Sequence, residues 1–195
     1  MDLLASLPAP LTPPSRRFLT LWDGWRGSQL LPRRRQLDTA SLGDLLPRCL
    51  LLDIRSRERI EICFAGTVIR GILGAELTGR NYLDLTEPEN RARRAALLFA
   101  EAAQPCAAVI YYWLRDEEGG MLPVEVVSAP LLADDTAAAQ ATLILACASP
   151  LAAAESGQEV DTASYAEGDG LRFIDIGAGI PPLTGSLQMQ AHMVQ

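Results

Sequence analysis

PCAAVIYYWLRDEEGGMLPVEVVSAPLL, residues 105–132, decides how this chain folds. After Pro105, Ala107 to Leu114 is a continuous run rich in β-branched and aromatic residues at strand length. Asp116 to Gly120 then turns the chain, and Leu122, Val124 and Val126 alternate with Pro123 and Glu125. A second turn around Asp134 and Asp135 leads to another apolar run, Thr142 to Cys147, so the three segments read as an antiparallel meander. Pro123 is the awkward residue, and predicts a bulge or a strand that starts nearer Val124.

Upstream, Leu50, Leu51, Leu52 and Ile54 form a further strand-like run. A charged turn, Arg55 to Arg59, joins it to Ile60, Ile62 and Phe64, which alternate with Glu61 and Cys63 as in a half-buried strand. Between this hairpin and the meander lie a short helical segment, Val68 to Leu73, and a longer one that ends near Ala103. Thr86 and Glu89 have capping-box spacing, Pro88 suits the first turn, and Ala95, Leu98, Phe99 and Ala102 share a core-facing stripe. Ser41 caps a short turn of helix that Pro47 stops.

The chain opens with Pro8, Pro10, Pro13 and Pro14, which predict an extended arm over 1–15 with order starting near Ser15. Phe18, Leu21, Trp22 and Trp25 then repeat at helical spacing, and Gly27 ends that helix. This amphipathic stripe either caps the sheet of its own chain or pairs with a partner helix in a homodimer. Beyond Pro150 the sequence reads as a linker, a strand-like patch at Leu171 to Ile176, and a flexible tail to residue 195.

Composition narrows the function. The chain has 195 residues, 49% hydrophobic and 21% charged, which suits one domain with extensions. Its net charge of -7 argues against nucleic acid as a partner, although residues 1–59 hold ten Arg against six acids. All 17 basic residues are Arg, a bias that fits a GC-rich bacterial genome and excludes Schiff-base, pyridoxal phosphate and P-loop lysine chemistry. Cys49, Cys63, Cys106 and Cys147 are far apart among apolar neighbours, with neither metal-site spacing nor a secretory signal ahead of them. A cytoplasmic location follows, with buried reduced thiols and no membrane span.

The stretch from Phe18 to Pro150 resembles the PAS domain superfamily, in particular a group of alphaproteobacterial PAS-like proteins. The resemblance rests on W-x-x-W-R-G at Trp22 to Gly27, Leu31-Pro32, Leu45-Leu46-Pro47 leading to Leu52-Asp53, and Phe64-x-Gly66-Thr67. It continues through Gly74-x-Glu76-Leu77-Thr78-Gly79-Arg80 and Ala129-Pro130-Leu131. It implies an α+β fold over 16–150, with a five-stranded antiparallel sheet in the order 2-1-5-4-3, helices on one face, and a small pocket between them. The amphipathic helix is additional to that core.

In such folds Phe64, Tyr82, Phe99, Tyr111 and Trp113 are the candidates to line the pocket, or else they fill the core. Strand parity separates Tyr111 from Tyr112. Phe18, Leu21, Trp22 and Trp25 are the candidates for a dimer or partner-helix contact.

No cofactor is expected: His192 is the only histidine available to a haem and lies in the tail, and none of the four cysteines has the N-C-R-F-L-Q context of a photochemical flavin site. No catalytic motif is present, so the chain is read as a non-enzyme. The expected role is a stand-alone sensory or adaptor module that signals through a small metabolite or a separate signalling protein. The alternatives are a ligand-free interaction module and a small cone-like isomerase using Tyr82 and Asp84.

Overall fold

The computed structural model describes residues 11–73, 76–115, 121–134, 142–151 and 171–182, with the side chains of 72, 73, 112–115, 121 and 122 left aside. Six strands, β1 (Cys49–Ile54), β2 (Ile60–Ala65), β3 (Cys106–Arg115), β4 (Met121–Leu131), β5 (Leu143–Pro150) and β6 (Leu171–Asp175), form one sheet. Their order is β2-β1-β5-β4-β3-β6, and every neighbouring pair is antiparallel. The expected order 2-1-5-4-3 is therefore present, with one strand added. The patch assigned to the region beyond the domain is that strand: Leu171 to Asp175 pairs with Ile110 to Cys106 and buries Leu171 and Ile174.

Helix α1 (Pro13–Arg26) starts earlier than the prolines suggested. Pro13 and Pro14 occupy its first turn, where a missing N–H breaks no helical bond and the fixed φ suits the helix. Thr12 caps it, and Gly27, at φ 55°, ends it in a backbone conformation that L side chains resist. The expectations for 1–10 lie outside the described residues. So do those for 152–170 and 183–195, including His192.

The short helix α2 (Thr39–Leu42) is capped by Asp38 instead of Ser41, because the Asp38 side chain accepts from Ala40 N–H; a 3-10 segment, Gly43–Arg48, follows it. Helices α3 (Thr67–Leu73) and α4 (Pro88–Ala103) complete the helical layer, with a 3-10 turn at Tyr82–Leu85 between them. The Thr86 capping box does not form: Glu87 is the N-cap residue without a side-chain bond, and Thr86 Oγ1 donates to Tyr82 O instead. Strand β4 runs straight through Pro123, which stands opposite Trp113 in the ladder.

Register assigns the two faces. On β4, Glu125 meets the first turn of α1, whereas Ser128 meets Glu101 of α4. Side chains alternate along a strand, so Glu125, Val127, Ala129 and Leu131 belong to the α1 side, and Val124, Val126, Ser128 and Pro130 to the α4 side. Directly paired residues share a face, which places Leu145, Cys147 and Ser149 under α1, and Ile144, Ala146 and Ala148 under α4. We call these the outer and inner faces. Phe18, Leu19 and Trp22 are fully buried within their own chain, and the Trp22 indole N–H donates to Pro130 O at 3.1 Å. Leu21 and Trp25 pack against the same core while remaining partly exposed.

One irregularity redirects a predicted residue. Leu51 stands opposite Phe64 while Leu52 stands opposite Ile62, so Cys63 is an extra residue in β2. A bulge of this kind breaks the alternation of side chains. Ile60 and Ile62 face inward as expected, but Phe64 is turned out and is 36% exposed. No helix among the described residues is long and apolar enough to cross a membrane.

Candidate functional site

The four pocket candidates whose side chains are described, Phe64, Tyr82, Phe99 and Tyr111, do not converge. Phe64 is on the outer side of the bulge, and Tyr111, paired with Glu125, also faces outward and donates its hydroxyl to Glu125 Oε2 at 3.0 Å. Tyr82 and Phe99 stay with the helical layer, partly buried, each with a guanidinium over its ring: Arg94 over Tyr82 at 5.9 Å and Arg57 over Phe99 at 5.1 Å. Arg94 also donates to the Tyr82 hydroxyl at 2.8 Å. The backbone of Trp113 pairs with Pro123, and its side chain lies outside the described residues. Asp84 is exposed, so Tyr82 and Asp84 do not form the buried acid beside a tyrosine expected of them.

Two acids that the sequence reading passed over occupy the interior instead. Glu101 of α4 is fully buried and projects at the inner face, where Ser128 Oγ donates to its Oε2 at 2.9 Å and its Oε1 has no partner. The strands beneath it are lined by small buried side chains, Cys106, Ala108, Ser128, Ala146 and Ala148. Burial pushes the Glu101 carboxyl up to about 8, with the Ser128 hydrogen bond opposing only in part. At neutral pH it is therefore mostly a neutral acid, able to donate as well as accept. The neighbouring Cys106 thiol is pushed up as well, first by burial and then by Glu101 and Asp175.

Glu125 is the second acid, fully buried on the outer face. Its Oε1 accepts from Thr12 N–H at 3.0 Å and from Thr12 Oγ1 at 2.6 Å, and its Oε2 accepts from Tyr111. Ser15 Oγ, also buried, lies 3.0 Å from Thr12 Oγ1 and 3.4 Å from Ser149 Oγ. A chain of polar groups thus joins the first turn of α1 to β3, β4 and β5. Glu125, outward, and Ser128, inward, lie three positions apart on β4.

A sequence signal for each acid existed. Glu101 is three residues after Leu98, hence a carboxyl on the apolar stripe of α4. Glu125 occupies the polar position of an alternating strand, which normally means solvent; here the position meets a helix.

The remaining chemistry is sparse. An open groove of about 680 Å³ on the outer side of β1 and β2 is lined by Arg34, Asp53, Arg55, Cys63, Asp134 and Leu143, among others. Asp53 in it is paired with Arg55, which also reaches Glu61. Cys63 is pushed up by burial with Arg34 opposing, and Cys49 by its hydrogen bond with Cys147 and by burial, so neither is activated as a thiolate. All four cysteines are free, and among the described residues no cluster of His, Cys, Asp and Glu could hold a metal ion.

With the sheet order and both faces established, the comparisons with known proteins identify the family. A PAS domain family model matches residues 11–146, and the chain belongs to that family. Among solved structures, the chain is similar to a LOV protein from Rhodobacter sphaeroides at 12% identity and a TM-score of 0.43, over 61% of this chain and 64% of that one. It spans less than two thirds of that protein's length. It is also similar to the PAS domain of an HTR-like protein from Haloarcula marismortui, at 14% identity and a TM-score of 0.39, over 58% of this chain and 91% of that one. A fungal LOV domain photoreceptor has 19% identity and a TM-score of 0.42, over 69% of this chain and 90% of that one. No curated protein matches the chain.

Proposed function

We propose that this PAS domain protein is a sensory or adaptor module of signal transduction, working in the cytoplasm and without catalysis. It reads a small, uncharged molecule at the inner face and passes the change to a separate signalling protein. The observation that supports this reading is Glu101, a fully buried acid with one oxygen unpartnered above a floor of small side chains. A core built only for stability seldom retains such a group, because an unsatisfied buried polar atom costs about 1–3 kcal/mol. A molecule with an N–H or O–H directed at Oε1 would remove that cost, whereas a charged one would meet an apolar surround.

Native mass spectrometry of the full chain purified from a bacterial host tests the reading. The expected result is an adduct of metabolite mass that Glu101→Leu abolishes while the fold is retained. A wild-type chain with no adduct, and no stabilisation by a metabolite extract, refutes it. That outcome would favour a ligand-free interaction module, a second reading supported by the failure of Phe64, Tyr82, Phe99 and Tyr111 to converge.

A further inference from the structure

We propose that Cys49 and Cys147 are a reversible oxidation site, at which a peroxide joins β1 to β5 through a disulfide. This goes beyond the sensory reading and stands whether or not the inner face takes a ligand.

The register brings the two thiols together. Cys49 stands directly opposite Cys147, and both are fully buried. Antiparallel ladders alternate between two kinds of opposed pair, and the kind at Cys49 follows from its neighbours. At the other end of β1, Ile54 N–H donates across to Thr142 O at 2.7 Å, which turns the backbone groups of Ile54, Leu52 and Leu50 toward β5. Cys49 has the opposite parity, and its carbonyl accepts from Gly66 N–H at 2.9 Å on the side away from β5. Cys49 and Cys147 are therefore a non-hydrogen-bonded pair, the kind whose Cα atoms come within about 4.5 Å and whose side chains lie closest. Disulfides span Cα separations of about 4.4–6.8 Å, so a bridge closes here with both strands kept in register. The thiols already meet through a hydrogen bond, and Cys49 Sγ donates to Leu45 O at 3.3 Å, so the Cys147 thiol is the donor between them. The other two cysteines are not placed this way: Cys63 is the extra residue of the β2 bulge, and Cys106 stands opposite Asp175.

The step balances with hydrogen peroxide as oxidant. One sulfur gives up its proton and attacks a peroxide oxygen; the O–O bond breaks, and the departing hydroxide takes that proton and leaves as water. The second sulfur attacks the resulting sulfenic acid; the S–S bond forms, the S–O bond breaks, and the hydroxyl leaves with the second thiol proton as another water. The two sulfurs together lose two electrons and the peroxide gains them, and a dithiol returns the pair to thiols by exchange. Access comes by local opening of the 3-10 segment Gly43–Arg48, which supplies Leu45 O, contains Pro47, and has the weaker hydrogen-bond geometry of its class. Burial and the Cys147 hydrogen bond raise the Cys49 thiol, so the attack is slow and the site answers to sustained peroxide. Once bridged, Cys49 has no S–H to give, and Leu45 O loses that donor. The 3-10 segment is thereby loosened where Pro47 O and Leu46 O pack over Gly66, ahead of α3.

The test treats the reduced full chain with hydrogen peroxide, once folded and once unfolded in urea, blocks the remaining thiols with N-ethylmaleimide under denaturing conditions, and maps the peptides by mass spectrometry. In the folded chain the Cys49 and Cys147 peptides are expected to appear joined, lighter than their sum by two hydrogen atoms, and to separate on addition of dithiothreitol. The share of this pair should be at least about fivefold that in urea, where loop closure favours cysteines nearer in sequence, such as Cys49 and Cys63. Equal shares in the two conditions would overturn the proposal, and so would a folded chain that keeps Cys49 and Cys147 as thiols while Cys63 is oxidised. Amide hydrogen exchange over residues 43–48 is expected to rise several-fold in the bridged chain, and a bridge that leaves it unchanged would overturn the loosening. Cys147→Ser should abolish both effects, while the comparison of folded with unfolded wild type holds even if that variant does not fold. A wild-type chain without a metabolite adduct leaves these results standing, because they are read on the sulfurs alone.

Discussion

Replacing Glu101 with glutamine should flatten part of the pH dependence of folding. In the unfolded chain this carboxyl ionises near its ordinary value of 4.5, and burial raises it to about 8 in the folded protein. Between those two values the unfolded state binds fewer protons than the folded one, so stability falls as pH rises. The contribution is fully present below 4.5 and is lost as the pH climbs through about 8. At about 1.4 kcal/mol per pH unit the whole loss is about 5 kcal/mol, and the part between about pH 5.5 and about pH 7.5 is about 2–3 kcal/mol. Glutamine has a similar volume and can still accept from Ser128, but it does not titrate.

Urea unfolding of both proteins at those two pH values measures the difference. The wild type should lose about 2–3 kcal/mol more than Glu101→Gln on going to the higher pH. Asp44, Glu76 and Asp175, which hydrogen bonds hold below the usual carboxylate range, titrate lower and are common to both proteins. Parallel pH dependences in the two proteins would refute the buried-acid reasoning, because nothing else separates them.

Two further perturbations probe the packing that places the site. A Cβ on Gly66 would lie 2.2 Å from Pro47 O and 2.4 Å from Leu46 O, so Gly66→Ala should cost about 2–3 kcal/mol through forced backbone displacement, read as a lowered urea midpoint. The bulge at Cys63 predicts unequal effects two residues apart: Ile62→Ala should cost about 2–4 kcal/mol and Phe64→Ala within about 0.5 kcal/mol, and similar melting temperatures for the two would contradict the register.

Much of the architecture was legible because strand and helix periodicities are local. The run at 105–132 already contained two adjacent strands and their turn, and the spacing of Phe18, Trp22 and Trp25 already required a buried helix face. The site was far less legible. Aromatic side chains were the natural candidates for a pocket, yet one inserted residue at Cys63 sent Phe64 outward, and the register of β3 against β4 sent Tyr111 to Glu125. A one-residue slip reverses a side chain, and pattern alone does not report an extra residue in a strand that otherwise alternates.

What the amino-acid sequence determined by itself was most of the strands and helices along the chain and which face of α1 is apolar, while the order of five strands came from the family resemblance. Only the tertiary structure decided what meets each face. Alternation distinguishes the two sides of a strand but does not say what covers either of them, so Glu125 looked like a solvent position until α1 was found against it. The same reasoning applies to Leu171 to Asp175, whose five residues acquired a place only when the open edge of β3 supplied their hydrogen-bond partners. Non-local pairing and burial of the two acids belong to that level, because both depend on residues distant along the chain.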